Sequence, residues 1–226
     1  MNSLSIRLKT IASLVPLGAR VCDIGTDHAR LPIYLKQQNI AKTVIACDLN
    51  EKPLEFAKKN VEESGISDIE IRLGDGLSPI KENEVDTVII AGLGGEVISD
   101  IISKCKWVKN NNIKLILQPT TSADFLRRFL ISNGFEISKE IPLCENKKLY
   151  SIMDITYTGL EKTYPQHYFY VGEVKPQSTD GILYIKKQQK RVFECMNSLE
   201  NIPTKQKEYE HYKSAYSGIE KLLTEN

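Results

Sequence analysis

Two aspartates and a histidine surround one glycine in the segment V-C-D-I-G-T-D-H-A-R-L-P, residues 21–32. The segment begins with apolar residues, and a buried strand there would end at Asp23 and Gly25. A glycine in such a turn lets the backbone approach a ligand closely. Asp23 and Asp27 could then meet positive charge on a ligand or accept a proton from a substrate. The segment therefore indicates a ligand site that follows the first strand.

Glycine, acidic or amide residues follow each of five apolar runs. The runs at 20–24, 43–47, 69–73, 87–90 and 114–117 are rich in Val, Ile and Leu, which is typical of buried parallel strands. The carboxyl ends of such strands share one edge of a doubly wound sheet, where ligands bind. The residues predicted to bind a cofactor at this edge are Asp23, Gly25, Thr26, His28, Asp48, Leu49, Asn50, Gly74, Asp75, Gly76, Ala91, Gly92 and Leu93.

Two of these residues suggest that the cofactor is a nucleoside. Asp48 ends the second predicted strand, where a carboxylate can accept hydrogen bonds from both hydroxyls of a ribose. Asp75 lies between two glycines and could accept a hydrogen bond from the amino group of an adenine. The alternatives are that Asp48 caps a helix, that Asp75 belongs to an ordinary turn, and that His28 has a structural role.

The first loop, D-I-G-T-D-H, favours a cationic nucleoside over a dinucleotide. It lacks the G-x-G-x-x-G pattern that holds a pyrophosphate at the start of a helix. One glycine and two carboxylates suit a ligand that has positive charge and no phosphate. S-adenosylmethionine is such a ligand, because its sulfonium and ammonium groups are both attracted to acidic side chains.

Strands and helices alternate along the part of the chain that would position these residues. The spacing of apolar residues predicts helices at Glu51–Ser64 and Ala123–Ser132, the first with Asn50 as its N-cap and Gly65 as its C-terminal stop. The runs at 136–144 and 150–157 leave no room for a helix between them and predict a hairpin. This order is typical of an α/β fold with a doubly wound sheet and an antiparallel strand at one edge.

The last third of the chain predicts a helical appendage. Residues 158–179 are interpreted as an ordered connection. Apolar residues then recur every three or four positions in 181–200 and again after Pro203, which predicts an antiparallel helical hairpin. Tyr209, Tyr212 and Tyr216 follow this spacing, so a place in the core of the hairpin is favoured over base stacking. The predicted domains are therefore residues 1–158 and 159–226.

Composition predicts a soluble, cytoplasmic protein. Of 226 residues, 41% are hydrophobic and 26% are charged, and neither a membrane-spanning run nor a signal pattern stands out. Five scattered cysteines without a C-x-x-C argue against disulfides or zinc, and three distant histidines argue against another metal site. The net charge of +1 is weak evidence against binding nucleic acid by bulk charge. No pattern requires an oligomer.

Four segments together resemble one enzyme family. D-I-G-T-D-H-A-x-L-P, G-D-G-L, I-A-G-L-G-G and L-I-L-Q-P are similar to segments of the bacterial tRNA (adenine-N1)-methyltransferases that act at position 22, the TrmK family, over about residues 4–157. The resemblance implies a Rossmann-like class I methyltransferase domain at 1–158 and a coiled-coil-like helical domain at 159–226 that docks tRNA. It also implies S-adenosylmethionine as donor and N1 of a D-loop adenine as acceptor. The chain departs from the family at Arg30, Leu93 and Thr120, where members often carry tyrosine, methionine and asparagine.

The loop after the fourth strand agrees with a ring nitrogen as the acceptor. Related enzymes that methylate amino groups use an N/D-P-P-Y loop there, whereas this chain has A-G-L-G-G. N1 of adenine has an available lone pair, so its attack needs positioning, which can supply about 7–11 kcal/mol. Asp27 is the predicted catalytic base that takes a proton from the N6 amino group. The alternative is that Asp27 caps the first helix of the doubly wound domain.

N1 lies on the Watson–Crick edge, so the enzyme must expose the adenine and recognise RNA by shape, stacking and phosphate contacts. Basic residues near the site and on the first C-terminal helix are candidates for those contacts, although the helical ones could equally form a solvated face. The residues predicted to contact tRNA are Arg7, Lys9, Arg30, Gln118, Pro119, Lys186, Lys187, Lys190 and Arg191.

Two other classes of function fit parts of the pattern. A methyltransferase that acts on a small molecule or a protein would share the cofactor site but would need no RNA-binding face. A binding module without catalytic activity would keep the fold alone. The complete set of Asp23, Gly25, Asp48 and Asp75 argues against the second alternative.

Overall fold

The computed structural model describes residues 4–225 and contains one seven-stranded sheet. The strands are β1 (Ala19–Ile24), β2 (Ala41–Asp48), β3 (Ile69–Leu73), β4 (Thr87–Leu93), β5 (Lys114–Pro119), β6 (Phe135–Glu145) and β7 (Lys148–Tyr157). The helices within the described residues are α1 (Ile6–Ala12), α2 (Arg30–Gln37), α3 (Glu51–Ser64), α4 (Gly95–Ser103), α5 (Ala123–Ser132), α6 (Tyr168–Val171), α7 (Thr179–Leu199) and α8 (Gln206–Thr224), with short 3₁₀ turns at Lys106–Val108 and Pro203–Lys205.

The strand order β3-β2-β1-β4-β5-β7-β6 confirms the doubly wound sheet with a terminal hairpin. Strands β1 to β5 are parallel, and β7 is antiparallel to both β5 and β6. The sequence predicted the antiparallel strand at the edge of the sheet. In the structure the antiparallel strand β7 lies one position inside the edge, and β6 forms the edge. The chain crosses from β5 through α5 to a parallel β6, and a turn at Asn146 and Lys147 then returns β7 into the gap. Both turn residues have positive φ, 50° and 62°, as a two-residue hairpin turn requires.

Apolar side chains of the central strands are buried on both faces of the sheet. On β4, Val88 and Ile90 pack on the same side as α4 and α5, whereas Ile89 packs on the side of α1 and α2. Burial on both faces explains why these strands read as continuous apolar runs. The predicted bounds of α3, α5 and β3 are confirmed. Asn50 does occupy the N-cap of α3, although its side chain makes no capping bond, and Gly65 ends the helix in the left-handed conformation.

The two long C-terminal helices pack on one another, which confirms the predicted helical hairpin. Buried Tyr184, Ile185 and Val192 of α7 contact buried Ala215 and Ile219 of α8 within one apolar cluster. Tyr212 and Tyr216 pack against this cluster, whereas the Tyr209 ring lies 5.8 Å from the Lys213 ammonium. Among residues 4–225, none of the helices is long and apolar enough to cross a membrane.

A buried arginine joins the hairpin to the sheet. The Arg127 side chain on α5 is fully buried and pairs with the equally buried Glu140 of β6. Its guanidinium donates to the Tyr184 hydroxyl of α7 at 2.8 Å and to the backbone oxygens of Phe169 and Tyr170 at 3.0 and 2.9 Å. We call these five residues the Arg127 cluster. The division of the chain at residue 158 stays a prediction, since the cluster draws members from both sides of it.

Candidate cofactor and active site

The ends of β1 and β4 open into one pocket, which we call the Asp23 pocket. It brings together residues predicted for the cofactor, for catalysis and for RNA. Its lining residues are Arg7, Leu8, Asp23, Gly25, Thr26, Asp27, His28, Arg30, Leu31 and Ala91. Loops from separate strands form the pocket because parallel strands present their carboxyl ends at the same edge of the sheet.

The turn after β1 depends on Gly25. Its φ is 74°, a left-handed value that glycine adopts without strain. The amides of Gly25 and Thr26 both donate to the Cys47 carbonyl oxygen of β2 at 2.9 Å. These two hydrogen bonds hold the loop against β2.

Asp23 is a buried carboxyl group at the floor of the pocket. It is 5% exposed and accepts a hydrogen bond from the Thr26 hydroxyl at 2.8 Å. Desolvation by burial raises the pKa of Asp23 to about 6, against the lowering effects of the Thr26 bond and the Arg7 charge. A carboxylate held in this way is available to a cationic ligand that enters the pocket.

Asp48 ties the first two loops together at the end of β2. One of its carboxylate oxygens accepts from the Asp27 amide at 3.3 Å, and the other accepts from the Asn50 amide at 3.0 Å. The alternative that Asp48 caps α3 is wrong, because Asn50 occupies the N-cap position. A carboxylate has about four acceptor sites, so Asp48 can still accept bonds from a ligand. Leu49 and Asn50 beside it are exposed.

Asp27 is an exposed carboxylate on the Asp23 pocket. Its backbone has a φ of 54°, and its side chain is 69% exposed, with a carboxylate oxygen 3.5 Å from His28 Nε2. The alternative that Asp27 caps α2 is wrong: the N-cap is Ala29, and no side chain caps this helix. Asp27 and Ala29 both have left-handed backbone conformations just before this helix.

His28 has contacts that fit the structural alternative. Its ring packs against the Phe56 ring of α3 with centroids 5.3 Å apart. Its backbone carbonyl oxygen accepts a hydrogen bond from the side-chain amide of Asn60 at 2.9 Å. These contacts attach the loop after β1 to α3. The imidazole is nevertheless part of the pocket lining.

The loop after β3 forms a separate pocket against α4. Gly74 is tied to β2, because its amide donates to the Asp48 carbonyl oxygen at 3.0 Å. Gly76 has a φ of 54°, and a side chain there would meet Ile101 at 2.9 Å. Asp75 is exposed, with a carboxylate oxygen 3.9 Å from Lys104 Nζ. The structure therefore places Asp75 beside Trp107 and α4, outside the Asp23 pocket.

The end of β4 lies beside the β1 loop and Arg7. The side chain of Leu93 lies 3.8 Å from where a Cβ on Gly25 would stand, and Gly92 has a φ of 85° with an Arg7 nitrogen nearby. Ala91 reaches the Asp23 pocket directly. This placement brings the predicted β1 and β4 residues together.

Arg7 and Gln118 form a pair that connects α1 to the end of β5. Arg7 Nη1 donates to the side-chain oxygen of the fully buried Gln118 at 2.6 Å. The Arg7 amide donates to Glu145 at 3.1 Å, and the guanidinium lies 5.8 Å from the centre of the Tyr150 ring. Sequence analysis missed Glu145 and Tyr150. No local signal points to them, because they lie about 140 residues from Arg7 along the chain.

The other residues predicted to contact RNA fall into two groups. Arg30 is exposed at the Asp23 pocket, and Lys9 is exposed on α1. Lys187 and Arg191 line a groove between α7 and the residues that follow β5, which we call the α7 groove; it also contains Pro119. Lys186 and Lys190 are exposed on α7 but do not line this groove. Within residues 4–225, no cluster of three or more His, Cys, Asp or Glu side chains could hold a metal ion.

Known proteins are similar to this chain in sequence. A family model described as a methyltransferase domain matches residues 4–153. The tRNA (adenine(22)-N(1))-methyltransferase of Bacillus subtilis (strain 168) is 38% identical over 170 residues, which cover 71% of each chain.

Solved structures match almost the whole chain. The B. subtilis M1A22 tRNA methyltransferase TrmK has a TM-score of 0.87 at 27% identity, covering 99% of this chain and 100% of that one. TrmK of M. capricolum, in complex with the cofactor product S-adenosyl-homocysteine, has a TM-score of 0.78 at 30% identity and covers 96% of both chains. The similarity therefore extends over the helical hairpin as well as the sheet.

Proposed function

The chain belongs to the tRNA (adenine(22)-N(1))-methyltransferase family, and from this premise we propose how its residues act. The protein is an enzyme that transfers a methyl group from S-adenosylmethionine to N1 of adenine 22 in tRNA. The observation that carries this function is full-length similarity to such enzymes, together with a pocket in which Asp23, Gly25 and Asp27 meet at the strand ends.

The residues of the Asp23 pocket fit S-adenosylmethionine chemically. Asp23 is buried and anionic at neutral pH, which suits the ammonium or sulfonium group, and Asp48 keeps free acceptor sites for ribose hydroxyls. Gly25, with its left-handed backbone, leaves space for close approach. The adenine end of the cofactor would have to extend beyond the Asp23 pocket, past Asp48, to reach Gly74, Asp75 and Gly76 beside α4. The remaining residues proposed for the cofactor site are Thr26, His28, Leu49, Asn50, Ala91, Gly92 and Leu93.

Asp27 would act as the catalytic base. The cofactor supplies the methyl group, and N1 of adenine supplies the electron pair that forms the new bond. As positive charge builds on the ring, the exposed Asp27 carboxylate would accept a proton from the N6 amino group. Arg7, which Gln118 orients, also lines the pocket. The adenine ring would therefore be held between Asp27 and Arg7.

Contacts to tRNA would come from the rim of the Asp23 pocket and from α7. Arg7, Lys9 and Arg30 would contact the RNA backbone near the adenine. Gln118 is fully buried, so it would orient Arg7 and not touch the RNA as the sequence predicted, while Pro119 lines the α7 groove. The RNA backbone at a greater distance from the adenine would be contacted by Lys186, Lys187, Lys190 and Arg191. Such phosphate contacts position the RNA without reading its sequence.

Methylation of a tRNA transcript by the purified protein tests the function. A methyl group on N1 blocks Watson–Crick pairing, so reverse transcription should stop next to adenine 22 after incubation with S-adenosylmethionine. A transcript that carries guanine at this position is the matched control. Methylation of other macromolecules or small molecules, with no stop on tRNA, would instead support the alternative substrates.

Replacing Asp48 by alanine should weaken the binding of S-adenosylmethionine. Each lost charge-assisted hydrogen bond to the ribose costs about 1.5–3 kcal/mol, which is a factor of about 10–150 in affinity. Asp48→Asn is the matched variant, because it keeps the size of the side chain and an acceptor oxygen for the loop amides. Titration calorimetry measures both, and an affinity within twofold of the wild type would remove Asp48 from the cofactor site.

Replacing Asp23 by asparagine should weaken cofactor binding but stabilise the free protein above pH 6. Because burial raises the folded-state pKa of Asp23, its favourable contribution to stability exists at low pH and is lost as pH rises through about 6. Asparagine avoids burying that charge and should add about 1–3 kcal/mol at pH 8. Urea unfolding at pH 8 and pH 4 measures the difference, which should vanish at pH 4.

The same pKa makes cofactor binding depend on pH in the wild type. Protonation of Asp23 below about pH 6 removes the negative charge that attracts the cofactor, so affinity should fall there. In Asp23→Asn this part of the pH dependence should be absent. An equal stability of the two proteins at pH 8 would contradict the buried charge.

A further inference from the structure

The α7 groove contains a side-chain amide that has no hydrogen-bond partner in the described part of the protein. Gln188 is 8% exposed and lines the groove, and its side chain makes no hydrogen bond within the described part of the chain. The amide atoms of Gln188 are not sealed from solvent, so they are open to the groove and free to pair with a ligand that supplies hydrogen bonds. Tyr184 beside it accepts a hydrogen bond from Arg127 and forms none with Gln188.

Positive charge stands next to this amide. Lys187 and Arg191 both line the groove, four residues apart on α7 and therefore on neighbouring turns. Lys187 makes no ion pair among residues 4–225, whereas Arg191 uses one nitrogen to bind Asp124 at 2.9 Å. An amide flanked by free positive charge fits a ligand that has both an anionic group and a hydrogen-bonding edge.

The α7 groove adjoins the Asp23 pocket. Tyr150 lines the groove, and the Arg7 guanidinium, which lines the pocket, lies 5.8 Å from the centre of the Tyr150 ring. Thr120 of the groove is also tied to β4, the strand that supplies Ala91 to the pocket, because its amide donates to the Leu93 carbonyl oxygen at 2.8 Å. A polynucleotide that places one nucleotide in the Asp23 pocket would therefore place the next nucleotide in the α7 groove.

We propose that the α7 groove is a second nucleotide subsite, which holds a nucleotide flanking the target adenine. Gln188 pairs with an edge of its base, in the way that amide side chains read bases. Lys187 and Arg191 bind its phosphate, and Tyr150 separates it from the target nucleotide. This inference rests on the proposed function, since a polynucleotide must occupy the Asp23 pocket.

Steady-state methylation of the tRNA transcript by three variants tests the subsite. Gln188→Leu keeps the volume of the side chain and removes its hydrogen bonds, and Lys187→Ala removes the free charge. Lys207→Ala is the matched control, because it removes the same exposed charge from the helical hairpin, on α8 and outside the groove. The first two should raise KM for tRNA by about tenfold, with kcat and the Kd of S-adenosylmethionine unchanged. The control should change KM by less than about threefold.

The dependence of KM on the flanking nucleotides is a second measurement. If Gln188 had only a structural role, its replacement would not change this dependence. Transcripts that vary the nucleotide on either side of adenine 22 should differ in KM with the wild type, and Gln188→Leu should lose that preference. Unchanged KM in both groove variants, an equal rise in the control, or no base preference in the wild type would overturn the subsite. A wild type that methylates no tRNA would instead overturn the proposed function.

Discussion

Asp27→Asn should lower kcat for tRNA methylation by about 10²–10⁴-fold, the range that a positioned general base contributes. The amide keeps the size of the side chain but cannot accept a proton at neutral pH. Asparagine also tolerates the left-handed backbone of this position, where φ is 54°, so the loop should keep its shape. Because the loss occurs only in the transition state, kcat and kcat/KM should fall together.

Cofactor affinity separates the role of Asp27 from that of Asp23. Asp27 binds Asp48 through its backbone amide, which asparagine retains, so the Kd of S-adenosylmethionine should change little. Asp23→Ala should instead raise the apparent KM for the cofactor, because it removes the buried charge. His28→Ala is a further control: its ring packs on Phe56, and its loss should affect kcat less than the loss of the Asp27 carboxylate.

Two results would exclude Asp27 as the base. One is a near-normal kcat in Asp27→Asn, which would leave catalysis to positioning alone, and the other is a loss of cofactor binding in step with Asp23→Ala. Helix capping does not complicate the interpretation, because Ala29 occupies the N-cap of α2.

Arg127→Met should destabilise the protein by about 3–5 kcal/mol, the cost of leaving one partner of a buried ion pair alone. Both side chains of the Arg127–Glu140 pair are fully buried. Desolvation by burial lowers the pKa of Arg127, but the Glu140 charge and the hydrogen bonds to Glu140 and Tyr184 outweigh it and raise the pKa overall. The guanidinium is therefore charged in the folded protein, and its removal leaves the buried Glu140 carboxylate without its ion-pair partner.

Urea unfolding measures this loss through the transition midpoint. Lys162→Met is the matched control, because it breaks a partly exposed pair with Glu136 of the same strand and should cost less than about 1 kcal/mol. Replacing Arg127 and Glu140 together by apolar residues should recover much of the loss, since no unpaired charge is then buried. A single variant as stable as the wild type would show that the pair is not a determinant of stability.

The Arg127 cluster also matters for the α7 groove. Its bonds run from α5 through Tyr184 to α7, and Asp180 near the start of α7 accepts from the Cys144 amide of β6 at 3.0 Å. These contacts hold α7 against the sheet, so the groove residues keep their position relative to the Asp23 pocket. In Arg127→Met we therefore expect tRNA affinity to fall more than cofactor affinity, at a temperature where the variant remains folded.

The sequence by itself determined the elements whose signals are local. The bounds of α3, α5 and β3 follow from apolar spacing and from the residues that flank them, such as Gly65. The order of strands and helices predicted the sheet, and a parallel sheet brings strand ends to one edge whatever the loops do. For this reason Asp23, Gly25 and Asp27 were predicted together, and the structure places them in one pocket.

Only the tertiary structure decided the contacts between distant segments. Arg127 reads as an ordinary charge in the sequence of α5, yet it is fully buried because Glu140 and Tyr184 meet it there. Arg7 finds Gln118, Glu145 and Tyr150 through the insertion of β7 beside β5, which placed the antiparallel strand inside the edge. The physical reason is that local backbone preferences act over a few residues, whereas a side chain's burial and partners depend on what the rest of the chain packs against it.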